Sequence, residues 1–113
     1  MNEFPPFVLD LPRIAIPLEG VTGYVIQGAH QQVTFVHFSE ETVVPRHSHR
    51  AQWELVVTGE VRLEMEGREG TYHPGESFYI PEGIEHGAVV GADYRAIIIF
   101  DQPDRYPPEA PSP

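Results

Sequence analysis

The sequence predicts an all-β protein, a single antiparallel jelly-roll β-barrel, and three observations carry that reading. Short apolar or alternating runs recur along the chain and are cut by Gly, Pro and acidic turn residues before any reaches the length of a packed helix. The run Val61-Arg62-Leu63-Glu64-Met65-Glu66 alternates apolar with polar at every step, which gives it one dry and one wet face. With 113 residues the chain builds one core, burying roughly two-thirds of its unfolded surface, and leaves no room for a second domain.

Taken in order, residues 1–20 contain Pro5, Pro6, Pro12 and Pro17 and are expected to form an extended N-terminal arm, since Pro lacks a backbone donor and clashes with an established helical turn. The barrel is expected over residues 21–101. Its strands are predicted near Gly23–Gln27, Gln32–Phe38, Gln52–Thr58, Val61–Glu66, Gly70–Tyr72, Ser77–Ile80, His86–Val90 and Tyr94–Phe100. Thr58-Gly59-Glu60 and Glu66-Gly67-Arg68 read as hairpin connections in which Gly takes the positive-φ position. Eight such strands fit a jelly roll around a lumen wide enough for one small ligand. Residues 102–113 hold five prolines and are expected as an extended or disordered Pro-rich C-terminal tail. No helical period with its start and stop signals stands out, and no internal repeat is found.

Composition removes several function classes. A formal net charge of −10 argues against nucleic-acid or anionic-membrane binding through a basic patch. All seven basic residues are Arg, so Schiff-base chemistry is out of reach, and without Cys there is no disulfide, thiolate nucleophile or sulfur-ligated zinc. Catalysis, if any, then falls on a metal. The N-terminus lacks a basic segment followed by an apolar run, and the longest apolar stretch is Ala96 to Phe100, so a cytoplasmic protein with neither leader nor membrane span is expected.

Two spaced motifs supply that metal site. The first is His47-x-His49, then Gln52, then Gly59; the second is Gly75, five residues to Pro81, one to Gly83 and two to His86. With 10 Gly, 12 Pro and 6 His in the chain, the second pattern arises by chance in roughly 0.4% of such sequences, and it lies about one hairpin from the first. Side chains at i and i+2 of an extended segment share a face, so His47 and His49 converge, and Gln52 and Glu54 pair likewise on the next strand. Pro81 fixes φ and Gly83 supplies a turn, letting the chain re-enter a strand with His86 aimed inward. Three imidazoles and one oxygen donor suit one divalent first-row metal, Ni, Zn, Fe, Mn or Cu, better than Ca or Mg.

These residues resemble the two motifs of the cupin superfamily, G-x5-H-x-H-x3,4-E-x6-G and G-x5-P-x-G-x2-H-x3-N. Glu41 stands where the first motif opens with Gly, and Val90 where the second ends in Asn. Counting back from Gly59 places Gln52 at the usual Glu position; counting forward from His49 selects Glu54 instead. The glycine-anchored register favours Gln52, with Glu54 the competitor, and small cupins resembling the pectin-degradation isomerase KdgF also use Gln there. The last strand of that group resembles Asp-x-Phe followed by Arg; here Phe100 is preceded by Ile98, with Arg105 the nearest Arg.

Strand parity extends the lumen. Val56 shares the face of Gln52, while Ala88 and Val90 share that of His86; Phe78 and Ile80 are expected to point inward, chiefly as core. Arg46 and Arg50 flank the His pair and are candidates to hold a substrate carboxylate bidentately, although solvated loop arginines are the better reading of both. His30, His37 and His73 have no spacing partner and read as structural or exposed, and Trp53 has the parity of an outer face or dimer contact. The expected function is that of a metalloenzyme acting on a small anionic, oxygen-rich molecule by Lewis-acid activation, in an isomerase- or lyase-like reaction if Gln52 is the ligand and dioxygenase-like if Glu54 is. The alternative is a non-catalytic metal or small-ligand binding module, and a metal-free barrel ranks last because unpaired buried imidazoles are costly. A homodimer is expected, since a barrel edge and Trp53 need cover and cupins commonly pair.

Overall fold

The computed structural model describes residues 3–109. A single helical turn, α1 (Pro6–Leu9), precedes ten strands: β1 (Arg13–Ile14), β2 (Val21–Gln27), β3 (Gln32–Phe38), β4 (Thr42–His47), β5 (Gln52–Thr58), β6 (Val61–Met65), β7 (Arg68–Tyr72), β8 (Ser77–Ile80), β9 (His86–Val90) and β10 (Tyr94–Phe100). They form two antiparallel sheets, one of six strands in the order β1-β2-β3-β10-β5-β8 and one of four in the order β4-β9-β6-β7. The jelly roll is therefore walled by two ladders rather than one continuous one. Alternation sets each strand's faces: along β3, Gln32, Thr34, Val36 and Phe38 are buried while Val33, Phe35 and His37 are not. The inward side chains of both sheets meet in one core that includes Val36, Val56, Leu63, Ile80 and Tyr94.

Five strands, β3, β5, β8, β9 and β10, have the predicted bounds; β2, β6 and β7 differ by one or two residues at one end, β1 is an additional short strand within the expected arm, and three further features differ for a physical reason. First, the expected extended arm over residues 1–20 contains a helical turn. Pro6 occupies its opening position, where the missing N–H would have no partner anyway and φ is already helical. Val8 is buried, and Phe4 packs edge-on against Phe35 at 5.7 Å, anchoring the turn to the outer side of the six-stranded sheet; Met1 and Asn2 lie outside the described residues. Second, β4 was not predicted, because Pro45 interrupts it. It survives as an edge strand, where a missing donor is tolerated, and its ladder to β9 shifts between Val44 and His47.

Third, the tail is extended but docked as far as Glu109. Ala15 N–H donates to Pro107 O at 2.9 Å and Glu109 N–H to Arg13 O at 2.9 Å. Gln32, 1% exposed, donates to Tyr106 O and accepts from Tyr106 N–H, so a buried amide ties the tail to β3. Ala110 to Pro113 lie outside the described residues. Among the described residues no helix is long and apolar enough to cross a membrane.

Candidate metal centre

Local chain geometry delivers each imidazole to the lumen. His47 ends β4 and lies opposite His86 on β9 in the ladder register. His49 lies two residues past that strand end rather than within it, and its carbonyl is held by Gly83 N–H at 2.9 Å. Gly83 has φ +77°, a conformation that L side chains resist, so the motif's Pro-x-Gly turn is what clamps the two histidine segments together. Ring centroids are 4.4 Å apart for His47 and His86, 4.9 Å for His49 and His86, and 5.1 Å for His47 and His49.

The tautomers follow from the acceptors. Nδ1 of His47 donates to Pro45 O at 2.8 Å, Nδ1 of His49 to Arg50 O at 2.6 Å, and Nδ1 of His86 to Ile84 O at 2.9 Å. A carbonyl only accepts, so Nδ1 carries the proton in all three and the Nε2 lone pairs remain available. One ligand atom from each of the three residues lies within 4.8 Å of the others, and Nε2 of His49 is buried with no hydrogen-bond partner. An orphaned lone pair in that setting costs free energy unless something coordinates it. Burial holds His49 down to about 4 and also lowers His86, with Arg105 and neighbouring imidazoles adding to both, so these rings are neutral at pH 7.

Across the lumen, β5 contributes Gln52 and Glu54, 7% and 6% exposed. Nε2 of Gln52 donates to Oε1 of Glu54 at 3.0 Å, and the Tyr94 hydroxyl donates to its Oε2 at 2.5 Å. Both oxygens of Glu54 are thereby engaged. A carboxylate accepts only, so the amide NH2 must face Glu54, which leaves Oε1 of Gln52 as its free donor atom. Burial raises Glu54 to about 7 against the opposing hydrogen bonds from Tyr94 and Gln52, and burial raises Tyr94 as well, with the nearby Glu54 charge adding to it.

A cavity of about 70 Å³ lies beside these groups. Phe78, Ala88, Val90 and Phe100 are among its lining residues, whereas Val56 is packed in the core and is not. Neither flanking Arg reaches it. Arg46 is exposed and held by Glu64 and Glu85, and Arg50 by Glu82 at 3.3 Å. The cation in the cavity wall is Arg105, from the docked tail, stacked over Tyr106 at 4.3 Å and near Phe100 at 5.6 Å, with its Nε buried and unpartnered. His37 and His73 pair with Asp93 and Glu76, His30 is exposed, and Trp53 is on the outer face. The residue set fits a divalent metal: three imidazoles whose Nδ1 atoms are held by carbonyls and whose Nε2 atoms are left for coordination, with the Gln52 amide oxygen lining the same cavity.

Residues 34–100 match the family model of the cupin domain. No curated protein matches the sequence closely enough to count as a relative. Among solved structures, KdgF from Halomonas sp. is 27% identical, with 81% of this chain and 86% of that one covered and a TM-score of 0.71. An RmlC-like cupin from Shewanella frigidimarina is 24% identical over 93% of this chain and 96% of that one, TM-score 0.75. Oxalate decarboxylase from Bacillus subtilis is 16% identical, covering 85% of this chain and 28% of that one, TM-score 0.68.

Proposed function

The chain belongs to the cupin family, and we propose that it is a metal-dependent enzyme that binds a small anionic, oxygen-rich molecule at His47, His49, His86 and Gln52. The observation that carries this reading is the set of three imidazoles whose Nδ1 atoms are all capped by carbonyls, with Nε2 of His49 buried and unpartnered. When bound, the ion supplies Lewis acidity toward a substrate oxygen. The chain's own residues do the rest. Arg105 offers the guanidinium that anchors the anionic group, Gln52 keeps the ligand set neutral, and Glu54 with Tyr94 holds the Gln52 amide in place.

The neutral shell supports the isomerase- or lyase-like chemistry over the dioxygenase-like one, because both Glu54 oxygens are already committed to Gln52 and Tyr94. The open cavity supports a site that admits a ligand. Similarity to KdgF favours the same direction, but buried Ile98 stands where that group resembles an Asp, so the substrate class is carried over only as a small oxygen-rich anion.

The test uses protein purified without a metal-affinity tag. Elemental analysis should find one first-row metal per chain, and His86→Ala should lose it. Loaded protein should be thermally stabilised by a member of a panel of sugar acids and keto acids, and Arg105→Ala should lose that stabilisation while keeping the metal. A panel member that stabilises metal-stripped protein equally well, or a panel in which none stabilises loaded protein, refutes a metal-centred anion site.

A further inference from the structure

The metal ligands share their wall of the lumen with groups that the proposed chemistry leaves unused. In the ladders of the four-stranded sheet His47 is opposite His86, His86 opposite Met65, and Met65 opposite Arg68, so one row across β4, β9, β6 and β7 carries two imidazoles, a thioether and a guanidinium. Directly opposed residues share a face. With strands about 4.8 Å apart, two steps put Arg68 about 10 Å from His86 on that wall. The next row, Ala88, Leu63 and Gly70, ends in a residue with no side chain.

Space opens over that end. A cavity of about 560 Å³ lies along Leu63, Met65, Gly70 and Tyr72, and Leu63 also lines the cavity of about 70 Å³ beside the imidazoles. The two are neighbours on one face. Tyr72 packs on Phe78 with ring centroids 4.7 Å apart and folds back over Gly70, where an added Cβ would meet the Tyr72 hydroxyl at 3.2 Å. The hydroxyl thus ends one inward position from Arg68. Whereas Arg46, Arg50 and Arg95 are held by carboxylates, Arg68 is exposed and paired with none among the described residues. Its donors are available to a ligand.

Charge and hydrogen-bonding capacity select that ligand. Glu66 and Glu69 complete the lining, so two carboxylates stand against one guanidinium, a balance that disfavours a second anionic group. Hydroxyls suit it better. They both donate and accept, and so match carboxylates that only accept, a guanidinium that only donates and a phenol that does both, while Leu63, Met65 and the Tyr72 ring cover C–H faces. We propose that this groove over β6 and β7 is a second subsite of the metal centre and takes a neutral, polyhydroxylated extension of the anionic ligand. The preferred ligand is then a sugar-type acid that bears a further neutral sugar unit. The inference rests on the anion site proposed above: the acid end lies at Arg105 beside the imidazoles, and the neutral unit lies against Arg68 and Tyr72.

The probes are gluconate and lactobionate, which is gluconate carrying one neutral galactose unit. Isothermal titration into metal-loaded protein should find lactobionate about tenfold tighter, through hydrogen bonds to Arg68 and Tyr72 that gluconate is too short to make. Arg68→Ala, at an exposed position, and Tyr72→Phe, which keeps the ring on Phe78, should each remove most of that ratio, with metal content and circular dichroism unchanged. Arg62→Ala, on the outward face of β6, should preserve the ratio. Equal affinities for the two acids, exclusion of lactobionate while gluconate binds, or a ratio that survives both Arg68→Ala and Tyr72→Phe overturns the second subsite and leaves the metal-centred anion site standing. A ratio that Arg62→Ala removes as fully as Arg68→Ala does overturns it too, since net charge alone would then set the preference. If neither acid binds the loaded protein, the anion site and its extension both fall.

Discussion

Replacing Glu54 by Gln distinguishes a residue that touches the metal from one that holds another residue against it. Glu54 accepts from Gln52 through Oε1 and from Tyr94 through Oε2. The isosteric amide retains a carbonyl acceptor for Gln52 and turns its NH2 toward Tyr94, whose hydroxyl can accept as well as donate. If Glu54 only orients the Gln52 amide, most of the geometry survives. Loss of a group that orients a ligand typically weakens metal affinity about 10- to 100-fold, and a substitution that keeps the Gln52 bond and only reverses the Tyr94 bond should lie near the lower end, about 1.4 kcal/mol. Gln52→Ala removes the oxygen donor itself and also strips a hydrogen bond from a buried carboxylate, itself worth about 1.5–3 kcal/mol, so its loss should reach about 100-fold or more. Competition against a chromophoric chelator, run with nickel and with zinc on metal-stripped protein, reads both values, and circular dichroism checks that the variants are folded. A larger loss for Glu54→Gln than for Gln52→Ala would refute the reasoning and make Glu54 the ligand.

The same residue governs a pH dependence in metal-stripped protein. Burial raises Glu54 from its ordinary 4.5 to about 7, so the stability its protonated form contributes is complete below about pH 4.5 and is lost as pH rises through about 7. His49 acts in the opposite sense: its depressed pKa of about 4, against 6.5, contributes stability that is complete above pH 6.5 and lost as pH falls through about 4. Between pH 4.5 and 6.5 the Glu54 slope opposes those of His49 and His86, both lowered by burial, so the Glu54 contribution is read by difference: the stability of Glu54→Gln relative to wild type should grow by about 3 kcal/mol from pH 4.5 to 7 in thermal melts. A constant difference would mean that Glu54 is not held neutral by burial. Gly59→Ala should cost about 1–3 kcal/mol of stability in thermal melts, because Gly59 has φ +76° and an added Cβ would meet Tyr94 Cα at 3.0 Å. Gly67→Ala, at φ +75° with nothing within 4 Å, should lose less.

Strands were legible wherever burial follows alternation, as in Val61 to Met65, because the period of two is written in side-chain type. β4 was not legible: its identity as an edge strand depends on β9, some forty residues later, and Pro45 masks it locally. The three histidines were legible because spacing constrains chelation. The choice between Gln52 and Glu54 is open in sequence because both share one face, and the contact that bears on it, Tyr94 donating to the second oxygen of Glu54, comes from forty residues away. Arg105 stayed in the background for the same kind of reason. It lies in a Pro-rich segment that looks solvated until Gln32 is seen to hold Tyr106 and so turn Arg105 into the cavity wall. Flanking position drew attention to Arg46 and Arg50, yet glutamates on neighbouring segments hold both outside.

These placements bear on how a chain of net charge −10 would attract the proposed anion. Beyond about 8 Å at physiological salt the surface charge is screened, so the field in the cavity comes from the groups that line it. Arg46 and Arg50 add little, because carboxylates neutralise both. Glu54, which burial raises to about 7, is only about half-ionised at neutrality and so adds a partial negative charge, shared with the hydrogen bonds it accepts from Gln52 and Tyr94. Arg105, with an unpartnered buried Nε, is left as the one lining cation. A bound divalent ion then adds its whole charge to a neutral shell, and both positive centres act through apolar walls where Coulomb terms are strong. Converting Gln52 to Glu would cancel half of the ion's charge at its source, so that variant should bind the metal more tightly and anionic ligands more weakly; isothermal titration that found both tighter would show that the ligand is not held by charge.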